Sequence, residues 1–295
     1  MPPSTGSPLG ATSSTRGRLP ALIVSDLDGT LLGADGRLSV MTIDVLRRAR
    51  ATGITVVAAT GRAPRSAMPR VGHQGVIDGL VCSNGAIVHD PVRDRVVERR
   101  TIPPEDLTAT FDALDDHLPD ASCCWELGDG RGGVTYDWDE AFDPIGSTHE
   151  DTRRQRPHRP ARRHGARPAG STDVSKLMIL HPELTGIALR DVLRPILPSR
   201  LTLGCSGVPF VEVTAAGVDK ASTVARIAAR LGIGPHDVVA FGDNANDLEL
   251  LAWAGLGLAV DNAVDEAKRV ADDVIGHHAD DSVARWIEAR LDRAR

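Results

Sequence analysis

With 295 residues the chain exceeds the usual size of a single hydrophobic core, so one large domain with a smaller inserted or appended unit is expected. A net charge of −6 and an aromatic content of 3% argue against nucleic acid as a partner, since neither a basic surface nor a stacking platform is visible; any phosphate site must be made locally. No apolar run approaches membrane-spanning length, and the opening MPPSTGSPLGATSSTRGRL lacks the apolar stretch of a secretory signal, so residues 1–19 are expected to form a disordered tail.

The first element is ALIVSDLDGTLL, from Ala21 to Leu32. Leu22, Ile23 and Val24 have the composition of a strand buried on both faces, and Asp26-Leu27-Asp28-Gly29-Thr30 sits where that strand gives way to loop. In open α/β sheets this is the end where ligands bind. Asp26 and Asp28, at i and i+2, leave the same side of extended backbone, and their repulsion is tolerable only with a cation, a shared proton or good solvation. A hard divalent ion would supply the first; an ordinary solvated Asp-Gly turn is the alternative. Gly29 lets the backbone turn sharply, and the Thr30 hydroxyl can tie the turn to a neighbouring carboxylate.

Asp35-Gly36 has the chemistry of a tight hairpin turn, which predicts a small flap after the first strand. Ser39 is the expected N-cap of a helix whose stripe is Val40, Ile43, Val45, Leu46 and Ala49 and which ends near Gly53. Ile54 to Ala59 is a second buried strand, so a right-handed parallel crossover is predicted. It ends in Thr60-Gly61-Arg62, where the hydroxyl can bind a phosphoryl oxygen or cap the next helix. A third strand, Gly79 to Ser83, leads into Asn84-Gly85-Ala86 at the same edge.

The alternation of strand and helix then stops. A hairpin is predicted over Ala86–Thr101, a helix over Pro104–Leu118, and strands at Ser122–Leu127 and Gly133–Tyr136. Val174–Leu180, a helix over Leu184–Leu193, and strands at Leu201–Cys205 and Phe210–Thr214 follow. An α+β unit inserted over residues 86–206 is therefore expected. Within it Arg153–Gly170, crowded with Arg, Pro, Gly and His, predicts a long mobile loop, and His158 and His164 lack ligand spacing. The competing reading folds its guanidinium groups over the site to hold an anion. Cys82, Cys123, Cys124 and Cys205 show no CxxC spacing, which suits buried thiols in a reduced, cytoplasmic setting.

The alternating pattern returns after Gly217, with a helix near Asp219–Leu231, a strand at Val238–Phe241, a helix over Asn246–Ala254 and a strand at Leu256–Val260. An amphipathic stretch at Val264–Ala271, Val274-Ile275 and a helix at Ser282–Leu291 complete it, so residues 20–85 and 207–295 make one sheet. The strand at Val238 ends in GDNANDLEL, which adds Asp243, Asn246 and Asp247 to the rim that carries Asp26 and Asp28. Four carboxylates on one rim need a counter-charge, and magnesium is the natural choice in a phosphate site. Of the 34 basic residues only Lys176, Lys220 and Lys268 are lysines, which raises the question of what arginine cannot do there; Lys220 can supply a compact point charge. Taken singly, each of these residues is more commonly a helix cap or part of a solvated turn.

Together DLDGT, TGR, a lone Lys before a helix and GDNANDLE resemble, in order and context, the motifs of the haloacid-dehalogenase-like phosphatases. SNGA, EVTAAGVDK and AWAGLGLAVDNA are similar to the Cof-type branch. The resemblance covers about residues 20–290 and implies an α/β fold, a Rossmann-like parallel-sheet core with an inserted α+β cap domain over 86–206. It implies Asp26 as nucleophile, Asp28 as general acid and base, Thr60 as phosphoryl-binding hydroxyl and Lys220 as the cation that orients Asp26. Mg2+ is implied beside Asp26, the Asp28 carbonyl and Asp243, with Asp247 supporting its water shell. Gly61, Arg62, Asn84 and Asn246 are the implied substrate contacts. After the fourth motif, relatives often carry an Asn-acidic-acidic-Gly stretch where this chain has His277-His278-Ala279-Asp280-Asp281-Ser282.

The expected function is a magnesium-dependent phosphatase acting on a small phosphorylated metabolite, such as a sugar phosphate or a nucleotide-like cofactor. The alternatives are a phosphomutase or phosphotransferase on the same fold, and a non-catalytic phosphate-binding regulatory protein. Neither substrate nor oligomeric state is legible.

Overall fold

The computed structural model describes residues 19–128, 134–138, 167–168 and 173–294. The expected tail, up to residue 18, and the Arg153–Gly170 stretch, except for Arg167 and Pro168, lie outside the described residues.

Strand β1 (Leu22–Ser25) is fully buried, as its unbroken apolar run predicts, and pairs in parallel on both sides. Its neighbours are β2 (Thr55–Ala59) and β11 (Val238–Gly242), contributed by segments about two hundred residues apart. Strand β3 (Gly79–Cys82) extends the parallel run beyond β2, and β12 (Leu256–Ala259) and β13 (Asp273–Val274) extend it beyond β11. Chain order therefore runs outward from β1 in both directions, which makes β1 the switch point of the sheet and its C-terminal end the expected ligand crevice.

Helix α1 (Val40–Ala51) starts at Ser39, whose side chain accepts from the Thr42 N–H as the N-cap reading requires. It packs on the C-terminal helix α8 (Ser282–Arg293), with Arg48 reaching Glu288 and Asp292 at 2.8 and 2.7 Å. Asp35-Gly36 does form a tight turn, closed by Gly33 and Arg37, but no strands flank it. In place of the first arm the chain bends sharply at Asp28-Gly29, between the buried side chains of Leu27 and Leu31.

The hairpin of β4 (Ile87–Asp90) and β5 (Arg95–Arg99) begins just past residue 86, where the inserted unit is expected to start. It adds two antiparallel strands to the edge of β3 and so belongs to the eight-stranded sheet. The physical reason is the turn at Ser83-Asn84-Gly85, which reverses the chain tightly enough for Ile87 to lie opposite Cys82 and cover the open edge. Gly85, at φ +98°, permits this; a Cβ there would stand 2.1 Å from the Asp219 carbonyl oxygen.

The second sheet is wholly antiparallel. It holds β6 (Ser122–Gly128), β7 (Val134–Trp138), β8 (Val174–Leu180), β9 (Thr202–Gly204) and β10 (Val211–Thr214), in the order β7-β6-β8-β10-β9. Strand β10 pairs with β8 and β9 inside this sheet, although it follows residue 206, where the inserted unit is expected to end. Trp125, Leu177, Ile179, Val211 and Val213 line one face with Phe111 of α3 (Pro104–His117) and Leu189 of α4 (Gly186–Leu193). Phe111 meets Trp125 edge-on at 6.0 Å. The strand period of two sends Cys124, Glu126, Lys176, Met178 and Glu212 to the opposite face.

Candidate active site

The crevice is assembled from the ends of β1, β2, β3 and β11. Asp26 follows β1, and its N–H donates to the Phe241 carbonyl at 2.9 Å, which locks the start of the loop to β11. Gly29 then turns at φ +79°, where a Cβ would stand 2.7 Å from Asp243 Oδ2. The turn is tied as expected: Thr30 Oγ1 donates to Asp243 Oδ1 at 2.8 Å. A second tie was not legible. Asn262 Nδ2 donates to the Gly29 carbonyl at 2.7 Å, and the His278 N–H donates to Asn262 Oδ1 at 3.0 Å, so the His277-His278 loop braces the turn from behind.

Lys220 is the first residue of α5 (Lys220–Arg230), held there by a reciprocal cap in which Asp219 accepts from Ser222 N–H and Ser222 Oγ accepts from Asp219 N–H. Its ammonium, 1% exposed, donates to Asp26 Oδ1 at 2.6 Å and to Asp247 Oδ1 at 2.7 Å. The other Asp247 oxygen accepts from the N–H groups of Asp243 and Asn244, both at 3.1 Å. Both Asp247 oxygens are thus engaged by the protein, and the residue ties the β11 loop to Lys220. Asp26, Asp243 and Asp247 nevertheless offer carboxylate oxygens all within 4.8 Å of one another.

The electrostatics follow from crowding. Burial raises the Asp26 carboxyl well above the usual range; Lys220 opposes this, and Asp247, Asp243 and Asp28 add to it. Asp243 is pushed up to about 6 by burial and then by Asp247, against the pull of the Thr30 hydroxyl and Lys220. Burial alone would lower Lys220, but Asp247 and Asp26 raise it above its ordinary value, so it stays charged. One ammonium faces three carboxylates, an all-oxygen donor set with room for a hard divalent cation.

Asp28 stands apart from that cluster. Both its oxygens accept from Arg62, Nε to Oδ2 and Nη2 to Oδ1, each at 2.6 Å, and its carboxylate is not one of the three that cluster. Thr60 is buried at the end of β2, and its hydroxyl accepts from the Arg62 N–H at 3.1 Å. The capping alternative for Thr60 does not hold, since α2 (Pro64–Val71) begins four residues later with Ala63 at its N-cap. Asn84, left-handed at φ 53°, sits beside this loop and accepts at Oδ1 from Asn246 Nδ2 at 3.0 Å. Gly61 meets Lys176 and Glu212 of the second sheet, neither of which the sequence motifs singled out as site residues. The signal was present: a lysine in a lysine-poor chain, placed inside an apolar strand.

A family model described as haloacid dehalogenase-like hydrolase matches residues 23–287. Among curated relatives, the 5-amino-6-(5-phospho-D-ribitylamino)uracil phosphatase YitU of Bacillus subtilis (strain 168) is 27% identical over 279 residues, covering 91% of this chain and 97% of that protein. The pyridoxal phosphate phosphatase YbhA of Escherichia coli (strain K12) is 28% identical, with 92% and 98% covered. The solved structure of BT1666 from Bacteroides thetaiotaomicron, a phosphatase of the same superfamily, shares the fold with a TM-score of 0.74 at 23% identity, over 95% of this chain and 99% of that one. The chain belongs to the haloacid dehalogenase-like hydrolases, in their Cof-type branch.

Proposed function

We propose that the protein hydrolyses the phosphate monoester of a small metabolite through a covalent phosphate on Asp26, with Mg2+ as the metal. The observation that carries this reading is the single ammonium of Lys220 bonded to both Asp26 and Asp247 beside Asp243, a cluster that still lacks positive charge. Asp26 and Asp243 would hold the ion, with the Asp28 carbonyl, and Asp247 would face its water shell. When bound, the ion supplies the charge that lets Asp26 stay ionised and offsets charge on the transferring group.

In the first step an Asp26 carboxylate oxygen attacks phosphorus, the bond from phosphorus to the leaving oxygen breaks, and that oxygen takes a proton from Asp28. In the second, Asp28 removes a proton from water as its oxygen attacks phosphorus, the bond to Asp26 breaks, and inorganic phosphate leaves. Arg62 grips both oxygens of Asp28 and must release one of them for Asp28 to reach the leaving oxygen and the attacking water. Lys220 keeps Asp26 oriented and the Thr60 hydroxyl receives a phosphoryl oxygen.

The substrate class we assign is a sugar phosphate or a nucleotide-like cofactor. It is supported by the relatives named for a phosphoribitylamino-uracil and for pyridoxal phosphate. A screen of phosphorylated metabolites for phosphate release with and without magnesium tests the reading. Release that needs magnesium supports it; none from any metabolite, or equal release in chelator, counts against it.

A further inference from the structure

Lys220 is engaged by Asp26 and Asp247, but Lys176 has no part in that chemistry. It lies in the middle of β8, 3% exposed, in a strand whose other residues are all buried. Register explains its company. Glu126 on β6 stands directly opposite Lys176, and Glu212 on β10 is diagonal to it, because Glu212 pairs with Met178. All three side chains leave the face turned away from α3 and α4 and toward the ends of β2 and β3.

Nζ of Lys176 makes two bonds, to Glu212 Oε1 at 2.7 Å and to the carbonyl of Gly61 at 2.8 Å. The second crosses from the cap sheet to the loop that carries Thr60 and Arg62. That loop's other carbonyls are held from the core: Thr60 O accepts from Asn84 N–H at 3.1 Å and Arg62 O from Ser83 N–H at 2.9 Å. Gly61 O is the one carbonyl of the three that Lys176 holds from the cap. The seating is close, since a Cβ on Gly61 would lie 3.1 Å from Asn84 Oδ1 and 3.6 Å from Glu212 Oε1. Glu212 is itself fixed by the Ser206 hydroxyl at 2.6 Å, and Ser83 Oγ donates to Glu126 Oε1 at 2.5 Å, a second bond between the same two sheets.

Stability does not account for this cluster, because burying the charges of Lys176 and Glu212 is costly and apolar side chains of equal volume would serve a plain interface as well. The charges are kept nonetheless. Burial pulls Lys176 down, yet Glu212 and Glu126 raise it above its ordinary value; burial pushes Glu212 up, yet Lys176 and the Ser206 and Asn84 side chains bring it below the usual carboxylate range.

We propose that Lys176, braced by Glu212, is a positioning residue for phosphoryl binding: it fixes the Gly61 peptide from the cap and thereby sets the Thr60 hydroxyl and the Arg62 side chain toward the substrate. The inference rests on the phosphatase reading above. It also says why lysine stands here, since a compact ammonium on a long stem can reach a carbonyl and a carboxylate at once, where a planar guanidinium would need more room.

The test measures the Lys176→Met/Glu212→Gln double variant, which removes the bonded ion pair and leaves Glu126, whose carboxyl burial already raises, able to take a proton. Gly61→Ala, which pushes the same loop while keeping every charge, is the variant to fall back on. Each is measured for kcat/KM on the best screened metabolite, for binding of inorganic phosphate by calorimetry, for the magnesium concentration giving half-activation, and for Tm. The double variant and Gly61→Ala should each lose about 10–100-fold in kcat/KM, with a matching loss of phosphate affinity and an unchanged magnesium requirement. A double variant with wild-type phosphate affinity overturns the proposal. So does a parallel loss of phosphate affinity, magnesium response and Tm, which would mark a merely structural strut. Asp26→Asn, assayed alongside, separates the two levels: if it still turns over, the phosphatase reading fails, whereas a dead Asp26→Asn beside unaffected Lys176 and Gly61 variants removes only this inference.

Discussion

Lys220 and Asp26 stand 194 positions apart in the chain and 2.6 Å apart in space. The contact closes the catalytic crevice, because it joins the first strand's loop to a helix that begins only after the whole second sheet has been inserted. Asp247, 2.7 Å from the same ammonium, makes the junction three-way.

Lys220→Arg should therefore fail despite equal charge. The site is 1% exposed and shaped for an ammonium between two carboxylates, and a planar fork needs space that Asp26, Asp247 and the phosphoryl group occupy. We expect kcat to fall by at least about 10²-fold with the fold intact by circular dichroism. Lys220→Met should in addition lose about 3–5 kcal/mol of stability in chelator, since Asp26 and Asp247 are left buried without their cation. Near-normal kcat for the arginine variant would show that charge alone suffices.

Asp28 and its Arg62 partner give a prediction about leaving groups. Asp28→Asn should slow hydrolysis of an alkyl phosphate by about 10²–10⁴ and that of p-nitrophenyl phosphate much less in the first step, because nitrophenolate departs without a proton. Burst kinetics separate the two steps. Equal slowing of phosphoenzyme formation with both substrates would remove the general-acid role.

Magnesium should stabilise the protein more at neutral pH than in mild acid. The carboxyls of Asp243, raised to about 6, and Asp26, also raised, hold protons in the folded protein at pH values where the unfolded chain has released them. Without metal the folded state then binds more protons than the unfolded one, so the stability these groups contribute falls as pH rises from about 4 through about 6. Magnesium competes with those protons, and its stabilisation should be lost as pH falls through the same window. The shift in Tm on adding saturating magnesium, measured across pH, should grow with pH up to neutrality; a shift independent of pH would contradict the assignment of these carboxylates as ligands.

Much of this was legible in the sequence because the chemistry sits at strand ends, where apolar runs stop and short polar motifs begin. Asp26, Thr60, Asn84 and Asp243 each follow a buried strand, and the structure brings all four ends to one edge. The hairpin over Ile87–Arg99 was legible as a hairpin but not as part of the core sheet, since pairing with β3 is decided by a turn and by tertiary contacts rather than by period. Lys176 and Glu212 were hidden for a related reason. Lys176 punctuates a strand outside any motif, Glu212 opens EVTAAGVDK without being marked there as a site residue, and only strand register places the two on one face, over Gly61. Asn262 and His278 act through the backbone of Gly29, a contact that no sequence spacing encodes.

The central claim is that Asp26 itself receives the phosphoryl group. Rapid quenching of the enzyme during turnover, borohydride reduction of any acyl phosphate, and peptide mass spectrometry test it directly. The account predicts homoserine in place of aspartate at position 26 and at no other acid. Reduction at another carboxylate, or unmodified Asp26 in an enzyme that shows a stoichiometric burst of leaving group, would contradict it.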